Sequence, residues 1–168
     1  MAKAWEPHFP QLGTYEDHSP TTYAGGPHPR YNCWAFAAGE SLKRWEPDPG
    51  NQYYWPSAAP RDYSVPAFMA AYETIGYEPS QNSTLDRSCE KIAIYATADG
   101  RVTHAARQLS DGRWISKLGD EEDIIHQLPE SLSSVVYGQP VQYMKRTASR
   151  GQALHGWFGW GLREILTF

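Results

Sequence analysis

The sequence predicts an α+β fold in which two helices come first and an antiparallel β meander follows. Apolar residues recur at helical spacing in residues 33–44 and 64–76. Three short β-rich runs then follow at 91–97, 101–109 and 113–119, with turn signals between them. Because helices and strands are segregated along the chain, a parallel βαβ sheet is not expected.

Each predicted helix has a start signal of its own. Asn32 precedes the first helix and Ser64 precedes the second, and both residue types accept hydrogen bonds from the free N–H groups of a helix start. Pro66 suits the first turn of the second helix, and Gly76 is expected to end it.

The strands are delimited by short polar turns. The pair Asp111-Gly112 lies between two β-rich runs and is typical of a hairpin. Residues 119–128 carry acidic residues at their start and are predicted as a short helix. Residues 140–146 are predicted as one further strand.

The 168 residues are enough for one compact domain and too few for two well-packed ones. We expect a single domain over residues 1–168. Residues 1–30 are predicted as an irregular arm rich in Pro and His, residues 31–146 as the core, and residues 147–168 as an apolar tail interrupted by glycines.

Composition excludes some classes of function. The net charge is −4 and the pI is near 5.8, so no nucleic-acid partner is expected. No apolar run is long enough to cross a bilayer, and no signal peptide is recognised, so the expected location is the cytoplasm, or the outside after export without a signal peptide. Cys33 and Cys89 form no metal-binding motif, so a structural metal is not expected; a single disulfide between them stays open, although a cytoplasmic location argues against it.

Cys33 and His104 are the residues best placed for chemistry. Cys33 stands at the predicted start of a helix, where free N–H groups favour a thiolate. His104 lies inside a predicted strand, which holds a side chain more rigidly than a loop, and small neighbours leave room for the helix to approach. The pattern predicts a thiol nucleophile and an imidazole base.

Two segments resemble papain-like cysteine hydrolases, most closely the NlpC-type amidase and peptidase branch. YNCWAFA, residues 31–37, is similar to the nucleophile segment, and HAARQLSDGRWIS, residues 104–116, is similar to the histidine hairpin. The resemblance covers roughly residues 30–146. It implies a papain-like fold, with the Cys-bearing helix packed on the meander, and catalysis by Cys33 and His104.

The third catalytic position is where the sequence departs from the pattern of the family. It falls on Ser116, where the family more often has His, Asn or an acid, and Asn32 stands where Asp is usual. An ideal two-residue turn would place Lys117, not Ser116, on the face of His104, so Ser116 needs a bulge or a longer loop to reach the imidazole. Asp123 and His126 are the alternative orienting groups.

The sequence therefore predicts a cysteine hydrolase of amide bonds that needs no cofactor. Its substrate would be a peptide or protein, with a cell-wall peptide as one option. Two alternatives stay open: a catalytically inactive binding module, and a protein-glutamine deamidase that uses the same site. The backbone N–H of Cys33 would stabilise the oxyanion, with Asn32 or Tyr31 as side-chain support.

Overall fold

A computed structural model describes residues 3–18 and 31–148 of the chain. Its core is one seven-stranded antiparallel sheet with the strand order β1-β6-β5-β4-β3-β7-β2. In chain order the elements are β1 (Tyr15–Asp17), α1 (Cys33–Ala37), α2 (Val65–Glu73), β2 (Glu78–Ser80), β3 (Cys89–Ala96), β4 (Val102–Gln108), β5 (Trp114–Lys117), β6 (Asp123–His126) and β7 (Gln139–Thr147).

The prediction of a papain-like fold, with N-terminal helices packed on a β meander, is wrong. The helices α1 and α2 are only five and nine residues long, and the sheet has strands from both ends of the described chain. The order of the elements also differs, because β1 precedes both helices. Over the described residues, the fold is a large antiparallel sheet that carries two short α-helices.

Helix α1 is shorter than the predicted span 33–44 because its C-terminus is closed early. Gly39 follows with φ +80° and donates its N–H to the carbonyl of Phe36, while Glu40 donates to the carbonyl of Ala35. This pair of bonds is the usual way in which a glycine just past a helix ends it.

Residues 119–128 do not form the predicted helix. Asp123–His126 form strand β6, which lies between β1 and β5 and is buried on both faces. The acidic residues of the segment suggested a helix start, but Ile124 and Ile125 are adjacent apolar residues that fill the two faces of a central strand. Tertiary pairing therefore overrides the local signal.

The two faces of the sheet are covered by different parts of the chain. Both helices pack on one face, here called the helix face. Its buried strand residues are Ile92, Ile94, Ala96, Val102, Ala105, Ile115, Ile125 and Met144. On the other face, here called the arm face, the N-terminal residues Trp5, Phe9 and Leu12 pack on Ala93, Tyr95, Ala106, Trp114 and Ile124.

The predicted irregular arm, residues 1–30, is thus in part ordered structure. Its residues 15–17 form an edge strand, and its described apolar residues contribute to the core. The predicted apolar tail, residues 147–168, lies outside the described residues apart from its first two positions. Within the described ranges, every helix is too short or too polar to span a bilayer.

Gly138 is the position where the fold tolerates a side chain least. Its φ is +73°, and a Cβ there would lie 1.9 Å from the carbonyl oxygen of Ala96. We expect Gly138→Ala to lower the free energy of unfolding by about 3 kcal/mol, because steric overlap adds to backbone strain.

Gly100→Ala is the matched control for this substitution in denaturant unfolding. Gly100 has a similar φ of +83°, but no atom lies within 4 Å of the position that a Cβ would occupy there. Backbone strain alone should cost about 1 kcal/mol at this residue. Equal losses in the two variants would contradict the steric role assigned to Gly138.

Candidate active site

The candidate site lies where the start of α1 meets β4. Cys33 is the first residue of α1, and the backbone N–H groups of Ala105 and Trp34 lie near enough to its Sγ to favour the thiolate. Ala105 directly follows His104 in β4. The fold thus brings Cys33 close to the backbone of the strand that carries His104, although the two residues are 71 positions apart in the sequence.

Strands β4 and β5 diverge at this point. Their paired residues are Arg107 with Ile115 and Gln108 with Trp114, close to the hairpin turn. Further from the turn, a side-chain hydrogen bond of 3.0 Å between His104 Nε2 and Ser116 Oγ connects the strands. Ala105 has no paired residue in β5, and its backbone N–H lies near the Cys33 sulfur at this opening between the strands.

Ser116 reaches His104 because the hairpin loop is longer than the ideal two-residue turn. Leu109 donates its N–H to the carbonyl of Arg113, which leaves a three-residue loop at 110–112. This register places Ser116 on the arm face, together with His104. The longer loop that the sequence required for Ser116 is therefore present.

A chain of hydrogen bonds fixes the protons of this cluster. His126 Nδ1 lies 2.8 Å from the carbonyl oxygen of Leu128, and a carbonyl only accepts, so Nδ1 carries the proton. Burial lowers the pKa of His126 to about 4, so the ring is neutral near pH 7 and its Nε2 is an acceptor. Ser116 must then donate its hydroxyl proton to His126 Nε2, over 2.9 Å.

The same logic assigns the tautomer of His104. Since the only proton of the Ser116 hydroxyl is used by His126, Ser116 Oγ accepts from His104 Nε2–H. His104 Nδ1 therefore bears a lone pair. This nitrogen is buried and has no hydrogen-bond partner within residues 3–18 and 31–148, so it is not bonded to Cys33 Sγ.

Aromatic rings hold the His104 imidazole in place. The ring of Tyr137 stacks on it with a centroid distance of 4.2 Å and an interplanar angle of 3°, and Tyr95 contacts it edge-on at 5.2 Å. Burial, together with nearby His126, holds the pKa of His104 well below its usual value. The imidazole is thus a rigid, neutral base at neutral pH.

The thiol, in contrast, does not match the expectation of a lowered pKa. Burial raises the pKa of Cys33 to about 11, and the N–H groups of Ala105 and Trp34 offset this only in part. The helix start was expected to favour the thiolate, but α1 has only five residues. The resting pair is a neutral thiol and a neutral imidazole. Cys33 and Cys89 are both free thiols.

Asp123 does not orient His104, a role that the sequence left open for it. It lies on the helix face and pairs across the strands with Lys117, with 3.9 Å between Nζ and Oδ1. Lys117 itself is buried, with 2% of its surface exposed, although a solvated position was expected for it. His126, the other alternative, acts on His104 through Ser116.

The two residues predicted to support the oxyanion have structural partners. Asn32 accepts the N–H of Ala35 as the cap of α1 and donates from Nδ2 to the carbonyl of Trp45 at 2.6 Å. Both the oxygen and the nitrogen of its amide are thus already hydrogen-bonded within the protein. The ring of Tyr31 stacks on Phe36 with a centroid distance of 5.8 Å.

Sequence reasoning missed Tyr137 and the carbonyl of Leu128. The carbonyl belongs to the main chain, so no residue type could have indicated it. Tyr137 is one of eleven tyrosines and lies 33 positions from His104, in a segment without a motif. Within the described residues, no group of three or more His, Cys, Asp or Glu side chains is arranged to hold a metal ion.

Comparison with known proteins identifies the family but not the activity. The chain belongs to the family described as "Domain of unknown function (DUF7689)", whose profile matches residues 22–145 and thus more than half of the sequence. No curated protein and no solved structure matches it significantly. The matched segment contains Cys33, His104 and Ser116.

Removal of the Ser116 hydroxyl should destabilise the protein. In Ser116→Ala the Nε2–H of His104 and the lone pair of His126 Nε2 would both stay buried without partners. We expect a loss of about 3 kcal/mol in the free energy of unfolding, measured with urea.

Ser133→Ala provides the matched comparison. Ser133 is also buried, at 2% exposed, but its hydroxyl has no hydrogen-bond partner within the described ranges. Its loss should cost less than about 1 kcal/mol. A cost for Ser116→Ala no larger than for Ser133→Ala would disprove the hydrogen-bond chain.

Acid should weaken the fold through the two buried histidines. Their pKa values are lowered in the folded state, so the neutral form is favoured there, and the stabilisation present above pH 6.5 is lost as the pH falls towards 4. Each histidine contributes a slope of about 1.4 kcal/mol per pH unit. Asp123 acts in the opposite direction, because burial raises its pKa to about 6.

The free energy of unfolding between pH 6.5 and pH 5 tests this balance. Wild type should lose stability as the pH falls, and Asp123→Asn should lose it more steeply, since the opposing group is gone. A flat profile in both proteins would be the contrary result.

Proposed function

We propose that this protein is a cysteine hydrolase that cleaves amide bonds, with Cys33 as nucleophile and His104 as general base. The observation that carries the proposal is the bare, buried Nδ1 of His104. The hydrogen bonds from Leu128 through His126 and Ser116 commit Nε2 as a donor and leave Nδ1 to take up a proton. A buried acceptor without a hydrogen-bond partner destabilises the fold, so its presence calls for an explanation such as a catalytic role.

The position of the thiol supports this assignment. Cys33 Sγ lies near the backbone N–H of Ala105, the residue next to His104. Tyr137, whose ring covers the imidazole, lies close enough to the sulfur for a thiolate charge to raise its pKa. Catalytic hydrogen bonds are often long in the absence of substrate and tighten in the complex.

The reaction would begin from neutral groups. As Cys33 Sγ attacks the carbonyl carbon, His104 Nδ1 takes the thiol proton, and the imidazolium is stabilised by its Nε2–H bond to Ser116. The C–N bond then breaks, and Nδ1 gives the proton to the leaving amine. Water hydrolyses the thioester: Nδ1 takes a proton from the water, and the departing sulfur receives it.

The oxyanion of the tetrahedral intermediate would be stabilised by the backbone N–H of Cys33. The first N–H groups of a helix have no acceptor within the helix, and Asn32 caps the N–H of Ala35. We place the reaction in the cytoplasm, where thiols stay reduced, and the substrate among peptides and proteins.

An intact-mass assay tests the proposal on three classes of amide substrate. Cys89→Ser protein would be incubated with casein, glutamine-containing peptides and peptidoglycan stem peptides. We expect an acyl adduct on Cys33 and cleaved product from at least one of them. Release of ammonia with a mass increase of one dalton in the substrate would assign the deamidase activity instead of cleavage.

Two variants identify the catalytic groups on that substrate. Cys33→Ala should abolish turnover, and His104→Gln should lower kcat by about 10³-fold, the usual contribution of a general base. The Cys89→Ser background is the matched control and should retain full activity. A folded protein that acylates on none of the substrates would support the binding module and contradict the hydrolase.

The pH dependence gives a further expected outcome. Because the pKa of His104 is lowered by burial, the base stays unprotonated to well below pH 6.5. The acid limb of kcat/KM should therefore lie below pH 6.5, and a limb near or above pH 7 would contradict the role of His104.

A further inference from the structure

The helix face holds an ion pair next to the thiol that the proposed mechanism does not use. Lys117 and Asp123 are directly paired across β5 and β6, and their side chains are 3% and 4% exposed. Burial of a charged pair is costly, and such pairs contribute little to stability compared with apolar residues of the same size. A functional reason for the pair is therefore worth testing.

The geometry places the Lys117 ammonium near the segment that leads into Cys33. The Lys117 ammonium lies 5.7 Å from the ring centroid of Tyr31, which comes two residues before Cys33. Lys117 and Cys33 are also on the same face of the sheet, since Cys33 packs in the cluster of Ala105. The charge of Lys117 acts to lower the pKa of the thiol, in opposition to burial.

We propose that Lys117 is the cation that stabilises negative charge on the Cys33 sulfur, and that Asp123 holds this cation and moderates its effect. The inference rests on the proposed function only for its biological purpose. As a property of the thiol it can be measured whether or not the protein hydrolyses amides.

Other charged and titratable groups also face the sulfur. They come from the loop after α1, from α2 and from the segment before β7, and they are Arg44, Tyr72 and Tyr137. The His104 imidazole lies on the arm face, beside Tyr95 and Tyr137. Arg44 is paired with Glu46 at 2.6 Å and is more exposed than Lys117. Near neutral pH the tyrosines are uncharged, because burial raises the pKa of each, and His104 is neutral. Lys117 is therefore the buried cation of this set.

The test is the pH profile of alkylation of Cys33 by iodoacetamide in a Cys89→Ser background, read by peptide mass spectrometry. In Lys117→Met, which keeps the length of the side chain, the apparent pKa of Cys33 should rise by about one unit, a tenfold lower thiolate fraction at a given pH. Lys117→Arg should restore most of the difference. Asp123→Asn should shift the pKa downwards, because the moderating carboxylate is absent.

Lys91→Met is the matched control. Lys91 is also a buried lysine, at 4% exposed, but it donates to the carbonyls of Asn82 and Thr84, away from α1. Its removal should leave the profile of Cys33 unchanged, even where it lowers stability. Circular dichroism at each pH confirms that the folded protein is measured.

The result that overturns the inference is an unchanged profile in Lys117→Met, or a shift in the same direction for Lys117→Met and Asp123→Asn. This failure is distinct from failure of the hydrolase proposal. If the protein cleaves amides but Lys117→Met leaves the profile of Cys33 unchanged, only the inference about Lys117 is wrong. If the expected shifts are seen but no acyl adduct forms, only the hydrolase proposal is wrong.

Discussion

The hydrogen bond from His126 to the carbonyl of Leu128 determines the chemistry of the whole cluster. A carbonyl cannot donate, so this bond fixes the proton on His126 Nδ1, and every later proton in the chain is then assigned. This series of hydrogen bonds ends at His104, whose Nδ1 is left with a lone pair that can accept a proton. The Ser116 hydroxyl is sufficient here because it has only to donate to His126 Nε2 and to accept from His104 Nε2–H.

The same series of hydrogen bonds explains why Ser116 occupies the position beside His104 where the family more often has His, Asn or an acid. His104 is buried and neutral, so an adjacent carboxylate is not needed to keep the resting state stable. Asp123 is instead placed on the other face of the sheet, beside Lys117. His104 and its hydrogen-bond partners lie on the arm face, whereas the charged pair and the thiol lie on the helix face. Proton transfer between Cys33 and His104 would therefore have to pass through the opening between β4 and β5.

Burial shifts the pKa values of the two candidate catalytic groups in opposite directions, and both shifts favour the neutral form. It raises the pKa of the Cys33 thiol and lowers that of the His104 imidazole. A resting thiolate–imidazolium pair is therefore disfavoured, and proton transfer would accompany attack on the substrate. The opening between β4 and β5 is what allows this arrangement, because it admits the sulfur to the backbone of the strand that carries the base.

The sequence by itself determined the starts of both helices and three of the central strands, and it singled out Cys33, His104 and Ser116 as candidate site residues. These features depend on local chemistry: Asn32 and Ser64 cap their helices as expected, and β3, β4 and β5 lie close to the predicted runs. Only the tertiary structure decided the fold class, the strand at Asp123–His126 and the sign of the thiol pKa shift. Each of these depends on long-range pairing or burial, and a local pattern carries no information about which distant strand will pair with a segment or how much water a side chain will lose.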